Sequence, residues 1–556
     1  MHKGLLAILL LTVLTGCDSP NRNNKQSMKK NPSTPFLWEA ANMYFLLTDR
    51  FNNGDTSNDV NFERNRETKP LRTFMGGDIK GIIQKIEEGY FDDLGVNAIW
   101  FTPVVEQIHD GVDEGAGFTY GYHGYWAKDW TVLDPNFGTS DDLHKLVETA
   151  HAHGIRIVFD VVMNHTGPVT EKDPVWGEDW VRTGPMCTYD NFENTTSCTL
   201  VANLPDILTE SNENVELPSF LTEKWKSENR YEKEMQELEA FFERTGYPRA
   251  PRFYIIKWLS DYVSEFGIDA FRVDTVKHTE SEIWQELYDE ASLAFENWKK
   301  THPERVLADI PFFMVGEVYN YGINGGRMFD YGDKKVDFYE HGFKSLINFD
   351  MKYDSQKDYE SLFSKYDSLL HNELKGKSVL NYLSSHDDGS PFDQHRERAY
   401  EAANKLLLTP GASQIYYGDE TNRPLIIPGA EGDANLRSYM NWEDLQNNDS
   451  VKAIHEHWKK LGTFRKQHPA IGAGFHKKIS DNPYVFSRIL ETDKLTDKVV
   501  VGLDLMQGAK SIPVGDIFPD GSKVTDHYSG MAITIKDGKA KLESPFRIVL
   551  LEKTEE

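Results

Sequence analysis

Short apolar runs alternate along this chain with longer stretches in which apolar residues return every three or four positions. The short runs read as strands: MYFLL at 43–47, NAIWF at 97–101, RIVFDVV at 156–162, IDAFRVD at 268–274, FFMVGEV at 312–318, INFD at 347–350, VLNYLSSHD at 379–387 and QIYYGDE at 414–420. Between several of them lie helical patterns. Trp258, Tyr262 and Phe266 recur at a spacing of four with Leu259 and Val263 beside them, which predicts a helix with one apolar face just before the fourth strand. Hydrophobic strands alternating with helices imply a parallel sheet. Eight of them predict a closed (β/α)8 TIM barrel in the α/β class. The alternative is an open doubly wound sheet, but no GxGxxG follows any early strand.

The rhythm breaks after DVVMNH, where roughly 100 residues precede the next strand, too many for a loop. An inserted subdomain is expected there, over 166–250. Its charged run EKWKSENRYEKEMQELEAFFER reads as a solvated helix face. After about Pro469 the pattern changes to short alternating strands, such as NPYVFSRIL, KVVVGLDL and PFRIVLLEK. They predict a separate C-terminal antiparallel β-sandwich over 469–556. The barrel then occupies 37–165 and 251–468.

The first residues, MHKGLLAILLLTVLTGCDSP, combine Lys3 with an apolar run from Leu5 to Leu14, short for a membrane span. Leu14-Thr15-Gly16-Cys17 resembles a bacterial lipobox, cleaved before Cys17, which then carries lipid. The alternative is an ordinary signal peptide with an incidental cysteine. Residues 1–16 are read as the leader and the polar stretch 17–36 as a flexible tether. The expected location is exported and lipid-anchored, on the periplasmic face or the cell surface. Asp18 resembles a signal for retention at the inner membrane in some Gram-negative bacteria. With Cys17 acylated, Cys187 and Cys198 remain as a pair, and export permits a disulfide between them; the alternative is two free buried thiols.

Composition adds a constraint on partners. The 556 residues carry 61 Lys+Arg against 88 Asp+Glu, a formal charge of −27. An acidic surface argues against nucleic acid and anionic phosphates. It fits a neutral or cationic substrate, or cation binding, and it also keeps a protein soluble. A monomer is expected.

In a (β/α)8 barrel, residues just past the C-terminal strand ends share one pocket. There the third strand carries Asp160, Asn164 and His165, the fourth Arg272 and Asp274, the fifth Glu317, and the seventh His386 and Asp387. A lone Asp at a strand end is more often a helix cap. Three acids on successive core strands are harder to dismiss, because isolated buried charges are costly. Glycoside hydrolysis needs one carboxylate as nucleophile and one carboxylic acid as proton donor. Arg272, two residues before Asp274, faces the same side of its strand and would keep that carboxylate ionised. Glu317 has no cation adjacent in sequence, and its apolar neighbours would raise its pKa, as a general acid requires. Asp387 and His386 are suited to hydrogen-bonding sugar hydroxyls.

DVVMNH (160–165), GIDAFRVDTVKH (267–278), GEV (316–318) and SSHDD (384–388) resemble, in order, the four short segments of the α-amylase family of glycoside hydrolases. GVNAIWFTPV and NLPDI resemble two auxiliary segments. The resemblance spans about residues 40 to 550. It implies a barrel, an insert after the third strand and a C-terminal β domain. It also implies Asp274 as nucleophile, Glu317 as acid/base and Asp387 as transition-state stabiliser. YGYHGYWAKDW resembles a stretch in which His123 bonds the sugar being cleaved and Tyr125 stacks on its ring; an aromatic core patch is the structural alternative. By the same resemblance His165 and His386 bind sugar, Asp433 and Arg437 line a more distant glycone subsite, and Lys277 acts on the leaving-group side.

The resemblance implies Ca²⁺ as cofactor, held by Asn164, Asp206 and the carbonyl of His278, hard oxygen ligands that suit this ion. A second site is implied at Asn53, Asp55, Asn58, Asp59, Gly76 and Asp78. Asn53 stands where the family often has aspartate, and a polar Asx-rich turn is the alternative reading there. Cyclodextrin-forming transferases place a bulky aromatic four residues before the Asp206 equivalent, where this chain has Ala202; they also carry extra C-terminal domains. Lys277-His278 favours α-1,4 over α-1,6 cleavage. The expected activity is retaining hydrolysis of α-1,4-glucosidic bonds in starch and maltooligosaccharides. Two alternatives stand: a cyclodextrin- or maltooligosaccharide-preferring hydrolase or transglycosylase, and, remotely, a non-catalytic glucan-binding protein.

Overall fold

The computed structural model describes residues 35–554. The leader, Cys17 and all but the last residues of the tether lie outside them.

Eight parallel strands close into a barrel. They are β1 (Asn42–Leu46), β2 (Ala98–Phe101), β3 (Arg156–Val161), β4 (Ala270–Val273), β5 (Phe313–Gly316), β6 (Ser345–Asn348), β7 (Ser378–Asn381) and β8 (Ala412–Tyr416). The ring runs β1-β8-β7-β6-β5-β4-β3-β2, with β1 pairing both β2 and β8. Every residue of these strands is buried, which is why each reads as an unbroken apolar run rather than an alternation. All eight expected strands are present, but several stop short of the predicted ends. The seventh ends at Asn381 rather than 387, so Asp387 sits on the following loop.

The helix expected before β4 spans Pro251–Phe266. Proline occupies its first turn, where no backbone N–H is needed. Gly267, at φ 78°, ends it in the left-handed conformation that favours glycine. Trp258, Tyr262, Phe266, Leu259 and Val263 are all buried. Burying an aliphatic or Phe side chain of this kind is worth roughly 1.5–3 kcal/mol before entropy is counted.

The segment before β1 closes the N-terminal end of the barrel. Trp38 stacks on Phe313 at the start of β5, centroids 4.3 Å apart. Phe36 lies 3.5 Å from the guanidinium of Arg156 at the start of β3. The opposite end carries the long connections. After β2, two ribbons pair Val105–Gln107 with Ala127–Leu133 and Gly111–Asp113 with Phe118–Tyr120, an excursion the apolar pattern does not announce. After β3 comes the expected insert, with a ribbon pairing Val181–Arg182 to Asp206–Ile207 and a Cys187–Cys198 disulfide. The charged run forms two helices, Ser219–Ser227 and Tyr231–Thr245, which bury Trp225, Leu238, Phe241 and Phe242 and expose most of their charged residues.

Beyond Pro469 the chain is antiparallel β. Strands β9 (Phe475–Asp481), β10 (Tyr484–Glu491), β11 (Thr496–Leu503), β13 (Lys523–Asp526), β14 (Met531–Thr534) and β16 (Val549–Lys553) form a six-stranded sheet in the order β9-β10-β11-β16-β13-β14. Strands β12 (Gly508–Pro513) and β15 (Lys539–Ser544) form a ribbon that packs on it around Ile512, Val524, Ala540 and Val549. His468 ties this domain to the barrel, pairing with Asp497 at 2.8 Å and Glu552 at 2.6 Å. Among the described residues no helix is long and apolar enough to cross a membrane.

Candidate active site

Arg272, on β4, is fully buried and organises the C-terminal end of the barrel. Its Nη1 donates to Asp160 Oδ1 on β3 (2.9 Å) and to Asp274 Oδ1 (2.7 Å). Its Nη2 lies 3.1 Å from Glu317 Oε2, and the backbone N–H of Thr275 donates to that same oxygen at 3.0 Å. Asp274 and Glu317 therefore share one guanidinium. Glu317 lacks a cation in sequence but not in space, and this corrects the expectation that its surroundings are wholly apolar.

The two acids nonetheless differ in proton affinity. Burial works to raise Asp274, but Arg272 and then His165 outweigh it and hold the carboxyl below its usual range. Burial also raises Glu317, Arg272 opposes, and the charges of Asp274 and Asp387 add to the rise, leaving Glu317 well above an ordinary glutamate. Burial raises Asp387 too, against Arg272 and Arg437. One carboxylate ionised and its neighbour protonated is the pairing that acid-assisted displacement at an acetal carbon requires.

These acids open into a cleft of about 640 Å³ lined by Tyr125, Asp274, Lys277, Glu317, His386, Asp387 and Arg437 from the expected set. The His278 side chain lines it as well, with Nδ1 bonded to the Thr195 carbonyl at 2.9 Å. Tyr125 donates from its hydroxyl to Asp160 Oδ2 (2.9 Å) and stacks 5.2 Å from the His386 ring. His123 and His165 contact its backbone. His123 Nδ1 accepts from Tyr125 N at 3.1 Å, and His165 Nε2 lies 3.1 Å from the Tyr125 carbonyl. Burial lowers the pKa of His123, His165 and His386. They are therefore neutral near pH 7 and offer uncharged donors and acceptors, suited to hydroxyl groups.

Arg437 donates from Nε to the His386 carbonyl at 2.9 Å. Asp433 does not line the cleft. It is the more exposed partner of Arg437, paired with it at 2.7 Å and with Arg72 at 3.3 Å. Lys277, nine-tenths buried, has its ammonium 5.4 Å from the ring centres of both Tyr189 and Tyr319. Burial lowers its pKa, with Glu317 opposing.

Five lining residues were not anticipated: Tyr189, Leu200, Thr275, Tyr319 and Asn320. Tyr319 was within reach, two positions past Glu317. Tyr189 lies inside the disulfide loop at φ 62°, where no periodicity indicates its direction. Leu200, not the exposed Ala202, is the residue of that segment facing the cleft.

The family model for the alpha amylase catalytic domain matches residues 45–467. The chain belongs to the alpha-amylase family. It is a glycosidase of that family, and its relatives agree. The periplasmic alpha-amylase of Escherichia coli K12 is 38% identical over 502 residues, covering 80% of this chain and 69% of that protein. The cyclomaltodextrin glucanotransferase of Thermoanaerobacterium thermosulfurigenes is 27% identical over 525 residues, covering 87% of this chain and 62% of that one. The acarbose-complexed alpha-amylase of Geobacillus thermoleovorans superposes with a TM-score of 0.64 at 20% identity, over 94% of this chain and all of that one; this likeness concerns the fold.

Among the described residues no cluster of three or more His, Cys, Asp or Glu side chains is arranged to hold a metal. Members of the two oxygen sets expected from sequence lie near one another. Thr279 donates from Oγ1 to Asn164 Oδ1 (3.4 Å), and Ile207 N donates to the Asn164 carbonyl (2.8 Å). These contacts bring Asn164, Asp206 and the 278–279 backbone together. Arg182 pairs with Asp206 at 2.8 Å. Near the N-terminus, Asp78 accepts from Gly54 N (3.1 Å) and Asp55 N (2.8 Å), and Asn53 Nδ2 donates to Asp59 Oδ1 (2.8 Å). Asp55 pairs with Lys80 at 2.6 Å. A Cβ on Gly76 would stand 2.4 Å from Asn53 and 2.6 Å from Asp59, so the backbone there approaches both side chains closely.

Proposed function

We propose that this protein is a retaining hydrolase of α-1,4-glucosidic bonds in starch and maltooligosaccharides, working by double displacement. The observation that carries the reading is the shared guanidinium: Asp274 and Glu317 both bond Arg272 while one stays ionised and the other keeps its proton. Asp274 attacks the anomeric carbon as Glu317 gives its proton to the departing glucosidic oxygen. A covalent glucosyl–Asp274 ester results, and Glu317 then takes a proton from the water that cleaves it. Asp387, with His386 and His123, bonds sugar hydroxyls and favours the distorted ring. Tyr125 supplies an apolar face for the sugar. Lys277, beside the acid, serves the leaving-group side.

The test is release of reducing ends from soluble starch with retention of anomeric configuration in the first product. An Asp274→Asn protein with undiminished activity, or an inverted product, overturns the reading.

A second reading, transglycosylation or a preference for small or cyclic glucans, is favoured by the aromatic pair Tyr189 and Tyr319 on the acceptor side. Chromatography of products from maltoheptaose and from a cyclodextrin separates the two. A purely glucan-binding role fits poorly with three retained acids.

Calcium is the ion the oxygen sets fit. Asn53 Oδ1 and Asn58 Oδ1 are buried and have no hydrogen-bond partner. Burial pushes the Asp206 carboxyl up to about 9 despite Arg182, so a divalent cation there relieves an under-neutralised charge. Asn164, Asp206 and the His278 carbonyl would hold one ion; Asn53, Asp55, Asn58, Asp59, the Gly76 carbonyl and Asp78 a second. The ion's contribution is to rigidity.

Export and lipid attachment at Cys17 rest on the leader sequence, and export also on the printed description of the E. coli relative as periplasmic. The partners in this reading are an α-glucan and, through the anchor, a membrane. The protein is read as a monomer.

A further inference from the structure

Asp387 makes few contacts of its own. Ser385 Oγ donates to it at 3.4 Å and His386 Nδ1 lies 3.7 Å away. Its side chain is 30% exposed to the cleft. Its place is set by the loop that carries it, and that loop is held from behind at the next residue. Asp388 points away from the cleft into a buried cluster. Its Oδ2 accepts from the Lys352 ammonium and from the Tyr382 hydroxyl, the latter at 2.5 Å, and its Oδ1 accepts from Ser390 N at 3.1 Å. Lys352, Asp388 and Tyr382 are 5%, 5% and 1% exposed.

Lys352 comes from the short helix Met351–Asp354 that follows β6. The cluster thus joins the top of β6 to the loop after β7. The same connection contributes Phe349, whose ring lies 5.5 Å from Tyr382 and 5.0 Å from the cleft-lining Tyr319. A buried ion pair with further hydrogen bonds to its carboxylate orders the backbone on both sides of it, and removing one partner leaves a buried charge that must be relieved by movement or protonation.

We propose that Lys352 is a positioning residue for the reaction: through Asp388 and Tyr382 it fixes the loop that presents Asp387 to the sugar. The inference rests on the glucanase reading above. Asp387 is faced by Asp274, Glu317, Arg272, Arg437, His386 and Asp388. Of the acids among these, Asp388 is the one whose charge is compensated outside the cleft, by Lys352. Loss of Lys352 therefore both frees the loop and adds uncompensated negative charge behind Asp387, which raises its proton affinity.

The test is steady-state kinetics and a pH profile on maltoheptaose for wild type, Lys352→Met, Lys352→Arg, Lys352→Met with Asp388→Asn, and Tyr382→Phe. The expected result is a kcat lower by roughly 10–100-fold in Lys352→Met with KM changed less than about threefold, the pattern of lost transition-state stabilisation. The acidic limb of its profile moves to higher pH. Lys352→Arg recovers most of the rate, the double variant returns the limb to its wild-type position, and Tyr382→Phe, which removes one oxygen only, loses several-fold in kcat. A kcat within twofold of wild type in Lys352→Met, or a drop matched only by a lower melting temperature with the limb unmoved, overturns the proposal. If Lys352→Met does not fold, an unchanged kcat in Tyr382→Phe overturns it. Wild type inactive on maltoheptaose counts against the glucanase reading; active wild type with unaffected variants counts against the positioning role alone.

Discussion

The ammonium of Lys277 lies 5.4 Å from the centre of the Tyr189 ring. Tyr189 is on the loop closed by Cys187–Cys198, so one wall of the cleft depends on a covalent tie eleven residues long in sequence. Replacing both cysteines by serine is expected to cost about 3 kcal/mol of stability, from the added freedom of the unfolded loop. It should also raise KM for maltoheptaose more than for maltotriose, because Tyr189 is no longer held. Thermal melts and the two KM values check this. Tyr189→Ala should reproduce the KM effect without the stability loss.

Asp274→Asn and Glu317→Gln are expected to fail differently. Both should lower starch hydrolysis by about 10³-fold or more. A maltosyl fluoride or an activated aryl maltoside leaves without protonation, so it should restore the first step in Glu317→Gln and not in Asp274→Asn. Equal rescue of the two variants contradicts the assigned roles.

The wild-type pH profile follows from the same pair. Asp274, held below the ordinary carboxyl range, keeps activity into acid; Glu317, raised well above it, keeps the proton donor in place at neutral pH. Asp274 therefore does not limit activity in acid; the acidic limb follows Asp387, which burial raises, and the alkaline limb lies above the usual glutamate range. Arg272→Lys offers one ammonium in place of a fork reaching three carboxylates. It should move the acidic limb upward and lower kcat by about 10²-fold or more.

His468 predicts alkaline loosening of the C-terminal domain. Burial opposes its protonation, but Asp497 and Glu552 prevail and raise it to about 9. A group whose folded pKa is raised stabilises fully below the unfolded value near 6.5, and that stability is lost as pH rises through 9. The stake is on the order of 3 kcal/mol. Glu552, lowered to about 2, reports the same pair from the acid side and is not added to it. His468→Gln should flatten the fall in melting temperature between pH 6.5 and 9.

Calcium is expected to raise the melting temperature of the purified protein, and a chelator to lower it. Asn53→Asp restores a charge to the N-terminal oxygen set and should shift the calcium dependence of the melt to lower concentration. A ligand at a hundred times its Kd stabilises by roughly 2.7 kcal/mol, well within reach of a thermal melt. No response to calcium in either protein removes both sites.

The barrel was legible because each of its strands is buried on both faces, which leaves a continuous apolar run. Their ends were not, because Tyr382 and Leu383, past the end of β7, are as buried as the strand itself. Asp274, Glu317 and Asp387 were legible because ionisable groups at the ends of core strands need a reason. Arg272's reach to Glu317 was not, since it crosses from one strand to the next. Tyr189 and the Asp388–Lys352 pair come from connections whose paths no hydropathy period describes.

One guanidinium between two acids acts as a timing element. When Asp274 becomes an ester it ceases to be an anion, so its repulsion of the Glu317 charge vanishes and Arg272 is left with one fewer claimant. Glu317 then grips a proton less tightly at the very stage where it must pull one from water. The affinity that served the first half of the cycle is withdrawn for the second, with no side chain having to change place.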